Sequence, residues 1–167
     1  MQVIEIIIRP TELKDIDGLC ELYNQPQAQA QTLQLPLPSP ALWEKRISSK
    51  PDNVYSYVAL IDNKVVGNIG FEQVTHPRTR HVAHFGMGVH DDYHGRGIGS
   101  KLIETVLELA DNWLNVRRIE IDAFVDNHAA LSLYKKFGFV IEGEAIDSAF
   151  RQGEYVNTYF LARINRK

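Results

Sequence analysis

The chain has 167 residues, 44% of them hydrophobic and 23% charged, the size and composition of one globular domain with a substantial core rather than a disordered chain. Eighteen basic against 21 acidic residues give a net charge of −3, so the basic excess of a non-specific nucleic-acid binder is missing and no nucleic-acid partner is expected. The single cysteine, Cys20, excludes an internal disulfide and a cysteine-rich metal site. With no lysine-led leader and no apolar run near the roughly 18 residues that cross a bilayer, the expected setting is the cytoplasm, away from membranes.

In chain order, the β-branched run Val3–Ile8 reads as a buried strand closed by Arg9-Pro10. Thr11 can cap a helix that places Ile16, Leu19, Cys20 and Tyr23 on one apolar face. Cys20 then reads as a packed thiol, since no basic neighbour lowers its pKa. Residues 25–40 carry glutamines at 25, 27, 29, 31 and 34 and prolines at 26, 36, 38 and 40, a density that prevents a regular helix. This segment is either a plain surface connection or a loop roofing a pocket with Leu33, Leu35 and Leu37.

A short helix is expected at Ala41–Ser49, followed by strands at Val54–Ile61, Lys64–Val74 and His81–His90. Asp62-Asn63 is a tight hairpin turn, and Thr75–Arg78 turns the next pair. The clearest helix is Ser100–Leu114, with Leu102, Ile103, Val106, Leu107, Ala110, Trp113 and Leu114 on one stripe. A strand at Arg117–Val125, a short helix at Ala129–Phe137 and two antiparallel strands within Phe139–Ile164, turning near Gln152-Gly153, complete the chain. The order contains no repeat and no linker, so residues 1–167 read as one α+β domain with a mixed, mostly antiparallel twisted sheet flanked by helices.

The chemistry-bearing segment is Met87-Gly-Val-His-Asp-Asp-Tyr-His-Gly-Arg-Gly-Ile-Gly-Ser-Lys-Leu102. A strand ends, glycines follow at 95, 97 and 99, and a long amphipathic helix begins at once. Glycines allow positive φ and close approach of backbone to ligand. The helix start presents unpaired amide donors at the positive end of its dipole. Together these features form a seat for a phosphate group, to which Arg96 can add a charge-assisted contact. No Gly-Lys-Ser/Thr follows, as a nucleotide P-loop requires, and Ser100 stands where the dinucleotide fingerprint needs glycine.

A second segment, Asn127-His-Ala-Ala130-Leu-Ser-Leu-Tyr134-Lys-Lys-Phe-Gly138-Phe139, places an amide at a strand-to-helix junction and a phenol seven residues later. Alone, Asn127 could be an N-cap and Tyr134 a core residue. Seven residues are nearly two helical turns, so both could face one cleft.

The pair of motifs resembles the GCN5-related N-acetyltransferase (GNAT) superfamily. Its acetyl-CoA loop follows Arg/Gln-x-x-Gly-x-Gly/Ala, and here it reads His94-Gly-Arg-Gly97-Ile-Gly99. Its later segment runs Asn-x-x-Ala-x-x-x-Tyr-x-x-x-Gly-Phe, which this chain matches throughout. His94 departs from the usual Arg or Gln, which weakens one side-chain contact while leaving the backbone amides. Residues 31–36, 111–114, 118–121, 124–127 and 153–156 are similar to bacterial amino-acid N-acetyltransferases acting on L-phenylalanine and L-methionine.

The resemblance implies acetyl transfer from acetyl-CoA to a primary amine, with an apolar L-amino acid as the expected acceptor. Acetylation of protein N-termini or lysines, or CoA binding without turnover, are the alternatives. It implies that Met87, Gly88 and Val89 pair with the pantetheine, that Gly95, Arg96, Gly97, Ile98, Gly99 and Ser100 seat the diphosphate, and that His94 and Asn127 complete the cofactor contacts. Tyr134 is implied as the group that protonates or stabilises the departing thiolate. For the base, Asp122 stands where some members carry a carboxylate, Glu72 and His84 lie on neighbouring strands, and ordered water needs no residue at all. Leu33 and Phe71 are the candidate acceptor contacts. No cysteine lies near the motifs, so direct attack in a ternary complex is expected rather than an acetyl-enzyme. The remaining histidines lack paired metal-ligand spacing, so no metal is expected. Exposed terminal strands would permit a homodimer.

Overall fold

The computed structural model describes residues 2–167. Seven strands, β1 (Ile7–Pro10), β2 (Val54–Ile61), β3 (Lys64–Gln73), β4 (Val82–Val89), β5 (Arg118–Phe124), β6 (Val140–Arg151) and β7 (Glu154–Ile164), form a sheet in the order β1-β2-β3-β4-β5-β7-β6. Five α-helices accompany them: α1 (Ile16–Tyr23), α2 (Pro26–Ala30), α3 (Pro40–Ser48), α4 (Ile98–Asn112) and α5 (His128–Lys136). Pairing is antiparallel for β1/β2, β5/β7 and β6/β7 and parallel for β4/β5. A parallel pair needs a crossover, and α4 supplies it. The expected α+β class is the observed one. No helix among the described residues is long and apolar enough to cross a membrane.

The chain divides into two compact units, one running to Phe71 and including Gly86–Glu108, the other comprising Glu72–Phe85 and Leu109–Lys167. In the first unit, α1, α2 and α3 pack Leu19, Leu22, Tyr23, Ala28 and Trp43 onto Val58, Leu60 and Val65. Adjacent residues of β3 point to opposite faces. Asn68 accepts a hydrogen bond of 2.6 Å from the Tyr23 hydroxyl of α1 and donates to the Tyr57 carbonyl at 3.0 Å. Gly67, its neighbour, faces α4: a Cβ added there would lie 2.7 Å from Ile98 Cγ2 and 3.0 Å from Leu102 Cδ1. The start of α4 therefore lies closer to the sheet than any side chain at position 67 would allow.

In the second unit, β7 lies antiparallel between β5 and β6, with the first residues of β4 alongside β5. Its core includes Phe85, Ile119, Ile121, Phe124, Leu131, Tyr134, Phe139 and Leu161. Arg163 donates to both carboxylate oxygens of Asp111, at 2.9 and 2.8 Å, and ties the last strand to the end of α4.

Several elements depart from expectation. The first strand is Ile7–Pro10, not Val3–Ile8, because the ladder with β2 sets its register: Ile7 lies opposite Leu60 and Pro10 opposite Tyr57. Pro10 is tolerated because β1 is an edge strand. Thr11 bonds the Ser56 hydroxyl at 2.8 Å instead of capping a helix. A 3₁₀ turn at Leu13–Asp15 precedes α1, with Glu12 and Asp15 forming the capping box. Burial alone would raise the Asp15 carboxyl, but hydrogen bonds from Arg9 and the Glu12 amide hold it below the ordinary value. The proline-rich segment does contain one helical turn, α2, because Pro26 occupies its first position, where no amide hydrogen is needed. Trp113 leaves the apolar stripe of α4 and is 74% exposed, since the chain unwinds after Asn112 and the Leu114 amide reaches back to Leu109.

Replacing Gly67 with alanine should destabilise the protein by about 1–3 kcal/mol, the usual cost of overpacking a filled core. A lowered urea midpoint checks this; an unchanged midpoint would show that α4 can lift off β3 at little cost.

Candidate active site

In the first unit the polypeptide leaves β4 through a 3₁₀ turn, Asp91–Tyr93, and enters α4 at Ile98. The His90 amide donates to the Val66 carbonyl at 2.9 Å, fixing the end of β4 on β3. The buried His90 ring holds the turn. Its Nδ1 accepts from the Asp92 amide at 3.2 Å, which leaves the proton on Nε2 to face Glu21 Oε1 at 3.2 Å. Gly95 and Gly97 take φ of 74° and 82°, and a Cβ at either would meet nothing within 4 Å. These glycines are required by backbone conformation and not by crowding, and the space in front of them is open.

The Lys101 amide donates to the Gly97 carbonyl at 3.1 Å, which makes Gly97 the cap of α4. The amides of Ile98 and Gly99 then have no carbonyl of the helix before them. Ile98 is 2% exposed and anchors this end against Gly67. Two positive-φ glycines before a capped helix start are the arrangement that can seat an anion.

The flanking side chains are arranged less simply. Arg96 folds back, its guanidinium 4.7 Å from the Tyr93 ring centre and within 3.3 Å of the Asp92 carbonyl. His94, the departure from the family pattern, approaches the Val89 carbonyl at 3.2 Å through Nε2. Gly88 has a packing reason of its own, because a Cβ there would lie 2.7 Å from the Tyr23 ring. Met87 and Val89 beside it are half-buried.

In the second unit Asn127 caps α5, its side-chain oxygen accepting from the Ala130 amide at 3.2 Å. Arg151 pairs with Asp126 and lies over the Phe124 ring at 4.8 Å, bracing the β5–α5 junction. Tyr134 is 8% exposed, with its ring 6.0 Å from Phe85 and 5.9 Å from Phe139. Burial pushes its phenol up to about 12, so the hydroxyl keeps its proton at any physiological pH.

The open face of the same unit holds a depression of about 550 Å³ lined by His84, Arg118, Glu120, Asp122, Glu142 and Phe160, among others. The parallel register sets His84 opposite Glu120, and their side chains approach to 3.8 Å. Arg118 pairs with Glu120 at 2.7 Å and also with Glu142. Asp122 has its carboxyl raised above the ordinary aspartate value, chiefly by partial loss of water, with His84 opposing and Glu120 adding to the shift. Of the three base candidates, Asp122 and His84 line this depression and Glu72 does not. Arg118 and Glu142 were missed from the sequence. The polar alternation Arg118, Glu120, Asp122 along β5 was the available signal for Arg118.

The acceptor candidates separate. Leu33 is 77% exposed, whereas Phe71 is fully buried beside Tyr55 and offers no surface to a ligand as it stands. Cys20 is half-buried, and burial and Asp17 raise its thiol, so it is a poor nucleophile. Among the described residues no group of three or more His, Cys, Asp or Glu could hold a metal ion.

A family model described as "Acetyltransferase (GNAT) family" matches residues 16–139. The chain is 42% identical over 160 residues to the L-amino acid N-acetyltransferase AaaT of Escherichia coli (strain K12), covering 96% of this chain and 98% of that one. Among solved structures, a GNAT-family acetyltransferase from Streptococcus pneumoniae superposes with a TM-score of 0.83 at 26% identity, over 96% of this chain and 99% of that chain. A spermidine N-acetyltransferase from Vibrio cholerae in complex with CoA and spermine gives 0.84 at 21% identity, over 95% of each, a likeness of fold.

Proposed function

Because the chain belongs to the GNAT acetyltransferase family, whose members use acetyl-CoA, we propose that it transfers the acetyl group of acetyl-CoA to the α-amine of an apolar L-amino acid. The observation that carries this reading is the open turn at Gly95 and Gly97 leading into the amides of α4. Its open space and helix-start amides support a diphosphate there. The near full-length likeness to an L-amino acid N-acetyltransferase supports the acceptor class.

When bound, acetyl-CoA supplies the acetyl group as an activated thioester. The amides of residues 95–100 hold its diphosphate, and the backbone of Met87, Gly88 and Val89 holds the pantetheine. His94, already leaning on the Val89 carbonyl, adds little to the phosphates, and Arg96 must swing off Tyr93 to reach them. Asn127 keeps its oxygen on the helix cap and offers its amide hydrogens to the cofactor.

Tyr134 provides a protonated phenol for the departing thiolate. With the phenol at about 12 and an ordinary thiol near 8.5, complete proton transfer is uphill by about 5 kcal/mol. The phenol therefore acts mainly by hydrogen-bonding the developing charge. Asp122, with His84 beside it, takes the proton from the acceptor ammonium, directly or through water. The raised, half-buried thiol of Cys20 fits direct attack by the amine in a ternary complex. Leu33 contacts the apolar acceptor side chain.

The reading is tested by binding, turnover and substitution. Calorimetry should find acetyl-CoA binding, and thiol release should be fastest with apolar free amino acids in a panel that includes peptides and lysine; a preference for peptides would move the acceptor to protein N-termini or lysines, and no binding would overturn the reading. Tyr134→Phe should lower kcat roughly 10²-fold, with single-turnover rates used to expose the chemical step. Asp122 serves as a base only when ionised, so kcat/KM should fall as pH drops through its pKa, beginning above the ordinary aspartate range. Asp122→Asn should remove that acid limb and cost about 10²-fold; an unaltered profile would leave deprotonation to His84 or water.

A further inference from the structure

Asp91 stands between two segments that the functional reading assigns to different ligands. It opens the 3₁₀ turn that leads into the diphosphate seat, yet its carboxylate is spent elsewhere. Oδ2 accepts from the Gln27 amide at 2.9 Å and Oδ1 from the Ala28 amide at 3.0 Å. These are first-turn amides of α2, whose own cap residue, Gln25, makes no side-chain cap bond. A residue more than sixty positions away in sequence supplies the missing cap. Bonds from amides to a carboxylate are also the stronger, charge-assisted kind.

From α2 the contacts run on without a gap into the segment bearing Leu33. The Ala28 carbonyl accepts from the Thr32 hydroxyl at 2.8 Å, and that hydroxyl accepts from the Gln34 amide at 3.3 Å. Gln34 Oε1 accepts from Arg46 at 2.9 Å, and the Leu37 amide donates to Asn24 at 3.2 Å. The segment is thus pinned at several points while Leu33, Leu35 and Leu37 remain 77%, 80% and 81% exposed. Three leucines held in water by a fixed frame leave apolar surface to be buried on an apolar ligand. At the other end, the turn holding Asp91 is locked by His90 through the Asp92 amide and Glu21.

We propose that Asp91 is a positioning residue that couples the diphosphate seat to the leucine-bearing acceptor segment, so that acetyl-CoA and the acceptor strengthen each other's binding. The inference rests on the functional reading above. Movement or ordering of the turn by a bound diphosphate reaches Leu33 through Asp91 and α2. Thermodynamic reciprocity requires the acceptor to raise acetyl-CoA affinity by the same factor.

The test compares wild type with Asp91→Ala and Asp91→Asn, using acetyl-CoA and L-methionine as probes. In the wild type, acetyl-CoA should slow hydrogen exchange at the Gln27 and Ala28 amides, and non-reactive CoA should lower the L-methionine dissociation constant. Asp91→Ala should abolish both effects and raise the L-methionine KM about 10-fold, within the usual range of coupling between sites. Its kcat and its acetyl-CoA dissociation constant should stay within about 3-fold of wild type. Asp91→Asn, which retains one acceptor oxygen, should fall between, and serves alone if the alanine variant does not fold. An L-methionine KM left unchanged by Asp91→Ala, with a wild type that binds acetyl-CoA and turns over, would overturn this inference alone. Equal weakening of both ligands would also overturn it, since Asp91 would then only shape the turn. A wild type that binds no acetyl-CoA would overturn the functional reading with it.

Discussion

The approach of α4 to β3 at Gly67 is the constraint on which the first unit depends. A side chain at 67 would collide with Ile98 and Leu102, so the helix start is set by backbone-level contact with the sheet. Ile98 is the first residue of the helix and is almost wholly buried. Residues 95–97 are left to make the turn with little freedom except through positive φ, which glycine takes at no steric cost. The direction of the amides at the helix start follows from that geometry. Backbone donors need rigid support, because they cannot be re-aimed by a rotamer change.

In the second unit the same economy of burial acts on charge. Tyr134 sits among aromatic rings, and loss of water raises its phenol. The opposite face of β5 keeps Arg118, Glu120 and Asp122 near water. Arg118 neutralises Glu120 and Glu142, which leaves Asp122, beside His84, as the depression's carboxylate outside these ion pairs. One strand thus presents an apolar face to the aromatic core and a carboxylate to the solvent side through period-2 alternation alone. The Tyr134 phenol and the Asp122 carboxyl thus lie in different dielectric surroundings, and loss of water raises both.

Most of the elements were legible because their signals are local. The strand Val54–Ile61 has the expected bounds, and Asp62-Asn63 has the positive φ of a tight hairpin. Positive φ at Gln152 and Gly153 likewise marks the expected final turn. The errors arose where a partner distant in sequence decides. β2 chooses the register of β1, Ser56 claims the Thr11 hydroxyl, and Asp91 caps a helical turn that glutamine and proline content alone did not suggest. Phe71 reads as a pocket residue by hydrophobicity, but burial beside Tyr55 removes it from solvent.

Spacing of glycines, a strand-to-helix switch and the Asn127–Tyr134 interval are properties of the chain itself, so the family and the glycine turn before α4 could be read without coordinates. Backbone conformation at glycine and amide exposure at a helix start follow from residues a few positions apart. Which side chains stay available is different. The pairing of Arg118, the folding back of Arg96 and His94, the capping by Asn127 and the reach of Asp91 to α2 each depend on which groups packing brings within about 3 Å, the range over which a hydrogen bond forms. Only the tertiary structure decides that, because such a bond is indifferent to distance along the chain.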